Sequence, residues 1–280
     1  MGLYGIHASI GGGVFNAISE GEALGCEAIQ IFTANQRMWS VKTPPETDVA
    51  SFKSGWKKSG IKKIVSHGSY LVNLAGANKE LLEKSRAAFF GEMQRAHALG
   101  LDSIVFHPGS FTGGTFEQGV KNIVDSVNEA LKKFKDFRPK LLLETTAGSG
   151  NSIGGKFEDL ALIIGKVKRK EKMGVCFDTA HVFEAGYDVK GGYEAVFKEF
   201  DKVIGLERLN CFHINDSKTP FASHADRHEH IGKGLIGTEF FGKLTRDKRF
   251  KETPMIIETP AENGMDKKNL DILRKLGRKS

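Results

Sequence analysis

KLLLETTAGSGNSIGGKFEDLALIIGKVKRKEKMGVCFDT, residues 140–179, opens and closes on a short apolar run that ends in a polar residue, and the stretch between the two runs reads as a helix. Strand, crossover helix, strand is the arrangement that joins parallel strands within one sheet. The same unit recurs on both sides of it. YGIHAS (4–9), AIQIFT (28–33), KIVSHG (63–68) and SIVFHP (103–108) precede it, and LNCFHI (209–214) and PMIIET (254–259) follow. With KLLLET and GVCFDT these make eight strands, each followed by a helix-like segment. Residues 78–99 carry apolar positions at Leu82, Phe89, Met93, Ala96 and Leu99 and stop at Gly100. Thr115 and Gln118 have the spacing of a capping box, and a stripe of helical period follows at Val120, Ile123, Val124, Val127, Leu131 and Phe134. Eight such units without linker, repeat or low-complexity block predict an α/β chain closed into one (β/α)8 TIM barrel over residues 1–280, ahead of an open doubly wound sheet. The length of 280 residues is close to the roughly 250 usual for such a barrel.

Composition narrows the class further. Hydrophobic residues make up 40% and charged residues 27% of the chain, which excludes intrinsic disorder. No apolar run approaches the roughly 18 residues of a membrane span, and MGLYGIHASIGGG lacks the pattern of a signal peptide, so a cytoplasmic protein without membrane contact is expected. No G-x-G-x-x-G follows a strand and no P-loop occurs, so no nucleotide cofactor is expected, and Gly11–Gly13 reads as a tight turn after the first strand. Cys26, Cys176 and Cys211 are odd in number and far apart, and read as reduced core residues. The net charge of +7 favours an acidic partner, although much of it sits in 166–172, 131–135 and the basic tail, which read as solvated helix faces.

In such barrels catalytic groups collect at the carboxyl ends of the strands. Here the strand ends offer His67, His107, Glu144, Asp178, His181, His213 and Glu258, and the segment after the seventh strand adds Asp226 and His228. Nine imidazoles and carboxylates focused on one mouth would repel or be costly to desolvate unless cations neutralised them. Nitrogen and oxygen donors without cysteine suit zinc or another first-row divalent ion, with manganese an alternative. Nine ligands exceed one tetrahedral site and imply a multinuclear centre with a bridging carboxylate. Clustered metals serve phosphoryl displacement, which leaves a phosphate-ester hydrolase and a sugar isomerase both open.

FTANQRMW, SHGSYLVNLA, FHPGS, LLLETTAGSGNSIGG, GVCFDTAHVFEAGYD, FHINDSK, DRHEHIGKG and IIETP together resemble the endonuclease IV type of apurinic/apyrimidinic (AP) endonuclease, AP endonuclease family 2, over nearly the whole chain. The resemblance implies a zinc-dependent DNA-repair hydrolase that cuts the phosphodiester 5′ to an abasic site in duplex DNA. The products are a 3′-hydroxyl and a 5′-deoxyribose phosphate, and blocked 3′ ends are trimmed as well. It implies three Zn2+, one of them replaceable by Mn2+: the first on His67, His107 and Glu144, the second on Glu144, Asp178, His213 and Glu258, the third on His181, Asp226 and His228. Glu144 would bridge and Glu258 would orient the attacking hydroxide. For DNA, Arg37 would fill the vacated stack, Tyr70 would stack on a flanking base, Leu71 would wedge the minor groove, and Asn35, Gln36 and Lys233 would meet the backbone. His7, His97, His224 and His230 stay outside the ligand set, with His7 a candidate support for it, and Phe111 stands where related sequences often carry histidine. A monomer acting on damaged double-stranded DNA is the expected form.

Overall fold

The computed structural model describes residues 2–40, 42–260, 262 and 264–278, so the last two residues of the basic tail lie outside it. Eight parallel strands close into a barrel. In chain order these are β1 (Leu3–Ala8), β2 (Ala28–Ile31), β3 (Lys63–His67), β4 (Ser103–Phe106), β5 (Lys140–Glu144), β6 (Met173–Asp178), β7 (Leu209–His213) and, after a small antiparallel pair β8 (Asp216–Ser217) and β9 (His228–Glu229), β10 (Pro254–Ile257). The seam is made by β1 against β10, with Leu3 opposite Pro254 and Ile6 opposite Ile257. All eight expected strands are present, and the residue closing each run lies at or just beyond the strand's carboxyl end.

The helices α1 (Asn16–Ala23), α2 (Glu46–Lys58), α3 (Lys79–Leu99), α4 (Phe116–Lys133), α5 (Phe157–Lys166), α6 (Thr179–Glu184), α7 (Tyr193–Val203), α8 (Thr238–Arg246) and α9 (Met265–Arg278) form the crossovers and close the chain. The stripe of α4 is buried from Val120 to Leu131. α3 ends where Gly100 takes φ 78°, a left-handed conformation that glycine adopts without steric cost. Thr115 caps α4 by accepting from the Gln118 N–H, but the expected box does not close, because the Gln118 amide turns to Asn122 Oδ1 at 2.7 Å. Inside the barrel one residue from each strand, among them Leu142, Cys176 and Cys211, forms a separate buried apolar cluster. The three cysteines are free and buried, as expected of core residues.

Two features were not legible in the sequence. β6 runs straight into α6, with Asp178 as N-cap accepting from the His181 N–H, so two candidate ligands are set three residues apart by one helical turn. The pair β8–β9 is too short to leave a periodic signal. Asp216 anchors it by accepting N–H bonds from Gly232, Gly234 and Ile236.

Candidate metal centre

The strand ends and the loops, helix α6 and β8–β9 pair that follow them bring the nine expected side chains to one end of the barrel. Glu144, at the end of β5, is buried in the middle of them and turns its two oxygens in different directions. Oε2 lies 3.1 Å from His67 Nε2 and 3.0 Å from His107 Nε2. Oε1 lies 3.0 Å from His213 Nδ1 and 3.4 Å from His181 Nδ1. His213 Nδ1 is also 3.1 Å from Glu258 Oε2 and 3.8 Å from Asp178 Oδ2. On the outer side His181 Nε2 and His228 Nε2 face each other at 3.4 Å, with Asp226 Oδ2 3.2 Å from the former and Oδ1 3.6 Å from the latter. Asp178 reaches this set too, its Oδ2 lying 3.6 Å from His228 Nε2. The geometry forms groups fit for metal: His67, His107 and Glu144; Glu144, Asp178, His213 and Glu258; Asp178, His181 and His228. The Asp226 side chain is half exposed, so the outer set opens to solvent while Glu144, Asp178 and His213 are sealed.

The chemistry of the donors tests whether cations fit. His67 Nδ1 donates to the Gly68 carbonyl at 2.7 Å, His181 Nδ1 to the Thr145 carbonyl at 2.8 Å and His228 Nδ1 to the Glu258 carbonyl at 3.0 Å. A neutral imidazole carries one hydrogen, so each then turns a bare Nε2 lone pair toward carboxylates or a second imidazole. Lone pairs facing carboxylates repel unless a proton or a metal lies between them. Protons fill that role when metal does not. Burial opposes the imidazolium form of His213, but Glu258 and Glu144 outweigh it and push its pKa up to about 10. Burial likewise opposes charge on His181, yet Asp178, Asp226 and Glu144 raise it well above the usual value. Against its own desolvation, Glu144 is held well below the carboxylate range by His107 and His213, and Asp226 is drawn down to about 2 by His181. Imidazoles that hold protons this tightly, between carboxylates that stay ionised, fit divalent cations.

Cys176 and Cys211 lie beside His213 and complete another group within ligand distance, but burial keeps the Cys176 thiol protonated well past its ordinary value, and the pair belongs to the barrel filling.

The sequence reading did not single out three neighbours of the centre. Gln30, inside β2, contacts both His213 and Glu258. Asn215 donates to Asp178 Oδ2 at 2.7 Å and accepts from the Glu258 N–H at 2.8 Å. Thr145 accepts from the Asp178 N–H. Asn215 and Thr145 stand inside motifs already noted, and Gln30 shows as a polar residue in the apolar run AIQIF. His7 does touch Glu258, its Nδ1 3.0 Å from Oε1. His97 packs on Phe134, and His224 pins two mouth loops through the Ala147 carbonyl.

The rim residues lie on loops around the centre. Tyr70 is 65% exposed, with its ring 5.4 Å from that of His67 and 6.2 Å from that of His107. Arg37, Asn35 and Lys233 are exposed, and Gln36 and Leu71 are partly covered. The loops bearing Arg37 and Tyr70 are tied where Ser69 Oγ donates to the Gln36 carbonyl at 3.1 Å. Met38 and Trp39, exposed apolar side chains, line a pocket there with Asn35, Gln36, Tyr70 and His107.

Fold and site together define a TIM barrel with a candidate metal centre at the carboxyl ends of its strands. The sequence family described as xylose isomerase-like TIM barrel matches residues 18–276. The chain is 45% identical to the probable endonuclease 4 of Geobacter sulfurreducens, over 98% of this chain and 94% of that one. It is 43% identical to that of Chloroflexus aggregans, with 99% of each chain covered. Among solved structures it is similar to endonuclease IV from Thermus thermophilus, with TM-score 0.88, 37% identity and 98% of both chains covered. It belongs to the endonuclease IV family, AP endonuclease family 2, whose members are DNA-repair hydrolases. A D-tagatose 3-epimerase-like protein shares the fold at TM-score 0.74 and 18% identity, covering 98% of this chain and 96% of that one.

Proposed function

We propose that the chain is a zinc-dependent endonuclease that hydrolyses the phosphodiester 5′ to an abasic site in duplex DNA, leaving a 3′-hydroxyl and a 5′-deoxyribose phosphate, and that it also trims blocked 3′ ends. The observation that carries this reading is the convergence of four carboxylates and five imidazoles on one barrel mouth, in a chain of this family. The acting form is a cytoplasmic monomer built as one barrel domain, without a nucleotide cofactor. Among the described residues no helix is long and apolar enough to cross a membrane.

Three zinc ions, one replaceable by manganese, would be held by His67, His107 and Glu144, by Glu144, Asp178, His213 and Glu258, and by His181, Asp226 and His228. Such ions lower the pKa of a water and offset charge on the phosphoryl oxygens of an in-line displacement. The protein's part is to hold the geometry. Glu144 offers one oxygen to each inner set, and Glu258, with Oε1 engaged by His7 and Gln30, keeps Oε2 turned inward to orient the attacking water. On the rim, Arg37 fills the vacated stack, Tyr70 stacks on a flanking base and Leu71 wedges the minor groove, while Asn35, Gln36 and Lys233 meet sugar and phosphate. The likeness to the epimerase-like protein is one of fold. A free sugar makes no use of an exposed Arg37 and Tyr70 rim, which supports the nuclease reading over the isomerase.

Metal analysis of the purified chain, combined with incubation on an end-labelled duplex bearing one abasic analogue, tests this directly. Three zinc ions per chain and a single cut 5′ to the lesion are expected. A metal-free chain that still nicks, or a loaded chain that leaves the duplex whole, would overturn it.

A further inference from the structure

We propose that Gln30 is a positioning residue of the metal centre. Its amide decides which nitrogen of His213 faces the carboxylates and restrains Glu258 at the same time, a role that rests on the metal-centre reading above. Gln30 is buried in β2 beside its register partner His7 on β1. A buried primary amide needs partners at both ends. Its Oε1 lies 2.8 Å from His213 Nε2, and its Nε2 donates to Glu258 Oε1 and lies 3.0 Å from His7 Nδ1. Rotating the amide by half a turn would set its oxygen against the Glu258 carboxylate, acceptor against acceptor, so the network allows one orientation.

The consequence falls on His213. An amide oxygen only accepts, so His213 Nε2 keeps its hydrogen, and in the neutral ring Nδ1 turns its lone pair to Glu144, Glu258 and Asp178. His67, His181 and His228 are oriented in the opposite sense, their Nδ1 atoms held by backbone carbonyls and their Nε2 atoms turned to the centre. Three imidazoles are thus directed by the main chain, which no substitution removes, whereas His213 is directed by one side chain. The same side chain holds Oε1 of Glu258 and leaves Oε2 for the centre. A glutamine in an apolar barrel strand would otherwise be destabilising, since a buried amide without partners keeps its full desolvation penalty.

Two measurements on the full chain test the proposal. In the zinc-loaded wild type, 15N NMR of His213 is expected to show a protonated Nε2 and an Nδ1 shifted by the metal, and a protonated Nδ1 overturns the proposal whatever any variant does. Gln30→Leu keeps most of the volume and removes both polar contacts. Its zinc affinity, read by competition with a chromophoric chelator, is expected to fall about 10–100-fold while the circular dichroism spectrum stays that of the folded chain, and the metal-free melting temperature is expected to drop because His213 Nε2 and Glu258 Oε1 each lose a buried partner. Wild-type affinity in the folded variant overturns the proposal. If wild type itself takes up no zinc, the metal-centre reading fails along with it, an outcome distinct from a wild type that binds and a variant that binds equally well.

Discussion

Glu144 is a buried carboxylate with four imidazoles around it and no cationic side chain other than imidazole within salt-bridge distance among the described residues. Its two oxygens face different ligand sets, so truncating it empties both at once. Glu144→Ala is expected to lose bound metal and nicking together, the latter by orders of magnitude; a variant that nicks normally without metal contradicts the bridging role. Tyr70 behaves differently, because its ring stands over the histidines without supplying a ligand atom. Tyr70→Ala should keep its metal and weaken binding of an abasic duplex by roughly 1–3 kcal/mol, the usual worth of one base–aromatic stack. Fluorescence anisotropy on abasic and intact duplexes separates the two variants, and unchanged discrimination removes Tyr70 from the interface.

At the scale of elements, function depends on how strand ends pass into loops. The β6–α6 junction sets Asp178 and His181 on one helical turn, and the β8–β9 pair brings Asp226 and His228 back across the mouth, with Ser217 opposite His228. The outer helices serve packing, which separates their energetics from the chemistry. Thr115→Ala removes the α4 cap and is expected to cost about 1 kcal/mol in denaturant unfolding while metal content and nicking stay as in wild type. A parallel loss of metal would show that α4 acts on the centre as well as on the fold.

For the whole molecule, protons and metal compete for one set of acceptors. His213 rises from 6.5 to about 10 in the metal-free fold, so its contribution to metal-free stability is complete below about pH 6.5 and is lost as pH climbs through about 10. Metal needs the deprotonated nitrogen, so its apparent affinity should climb over the same range. Zinc uptake at pH 7 is therefore expected to release protons, and the gain in melting temperature on adding zinc should widen from pH 6.5 to pH 9. Calorimetry in buffers of different ionisation enthalpy reads the first and thermal scans the second. Uptake without proton release would mean that the imidazoles are already neutral before metal arrives.

The order of strands and helices was legible because each is a local pattern: apolar runs such as KLLLE and GVCFD, the α4 stripe from Val120 to Leu131, the stop at Gly100. Seven of the nine polar residues were legible for a related reason, since barrel closure carries every strand end to the same mouth and that rule needs no coordinates, whereas Asp226 and His228 follow β7 and reach the mouth through the β8–β9 pair. What the tertiary structure alone decided is direction. Which nitrogen of His213 faces inward, that Gln30 from β2 meets Glu258 beyond β10, and that Gln118 leaves its own cap for Asn122 all depend on contacts that form only after the barrel closes. A hydrogen bond is specified by angle and by the choice of donor and acceptor, and neither is encoded in the spacing of residues along a chain.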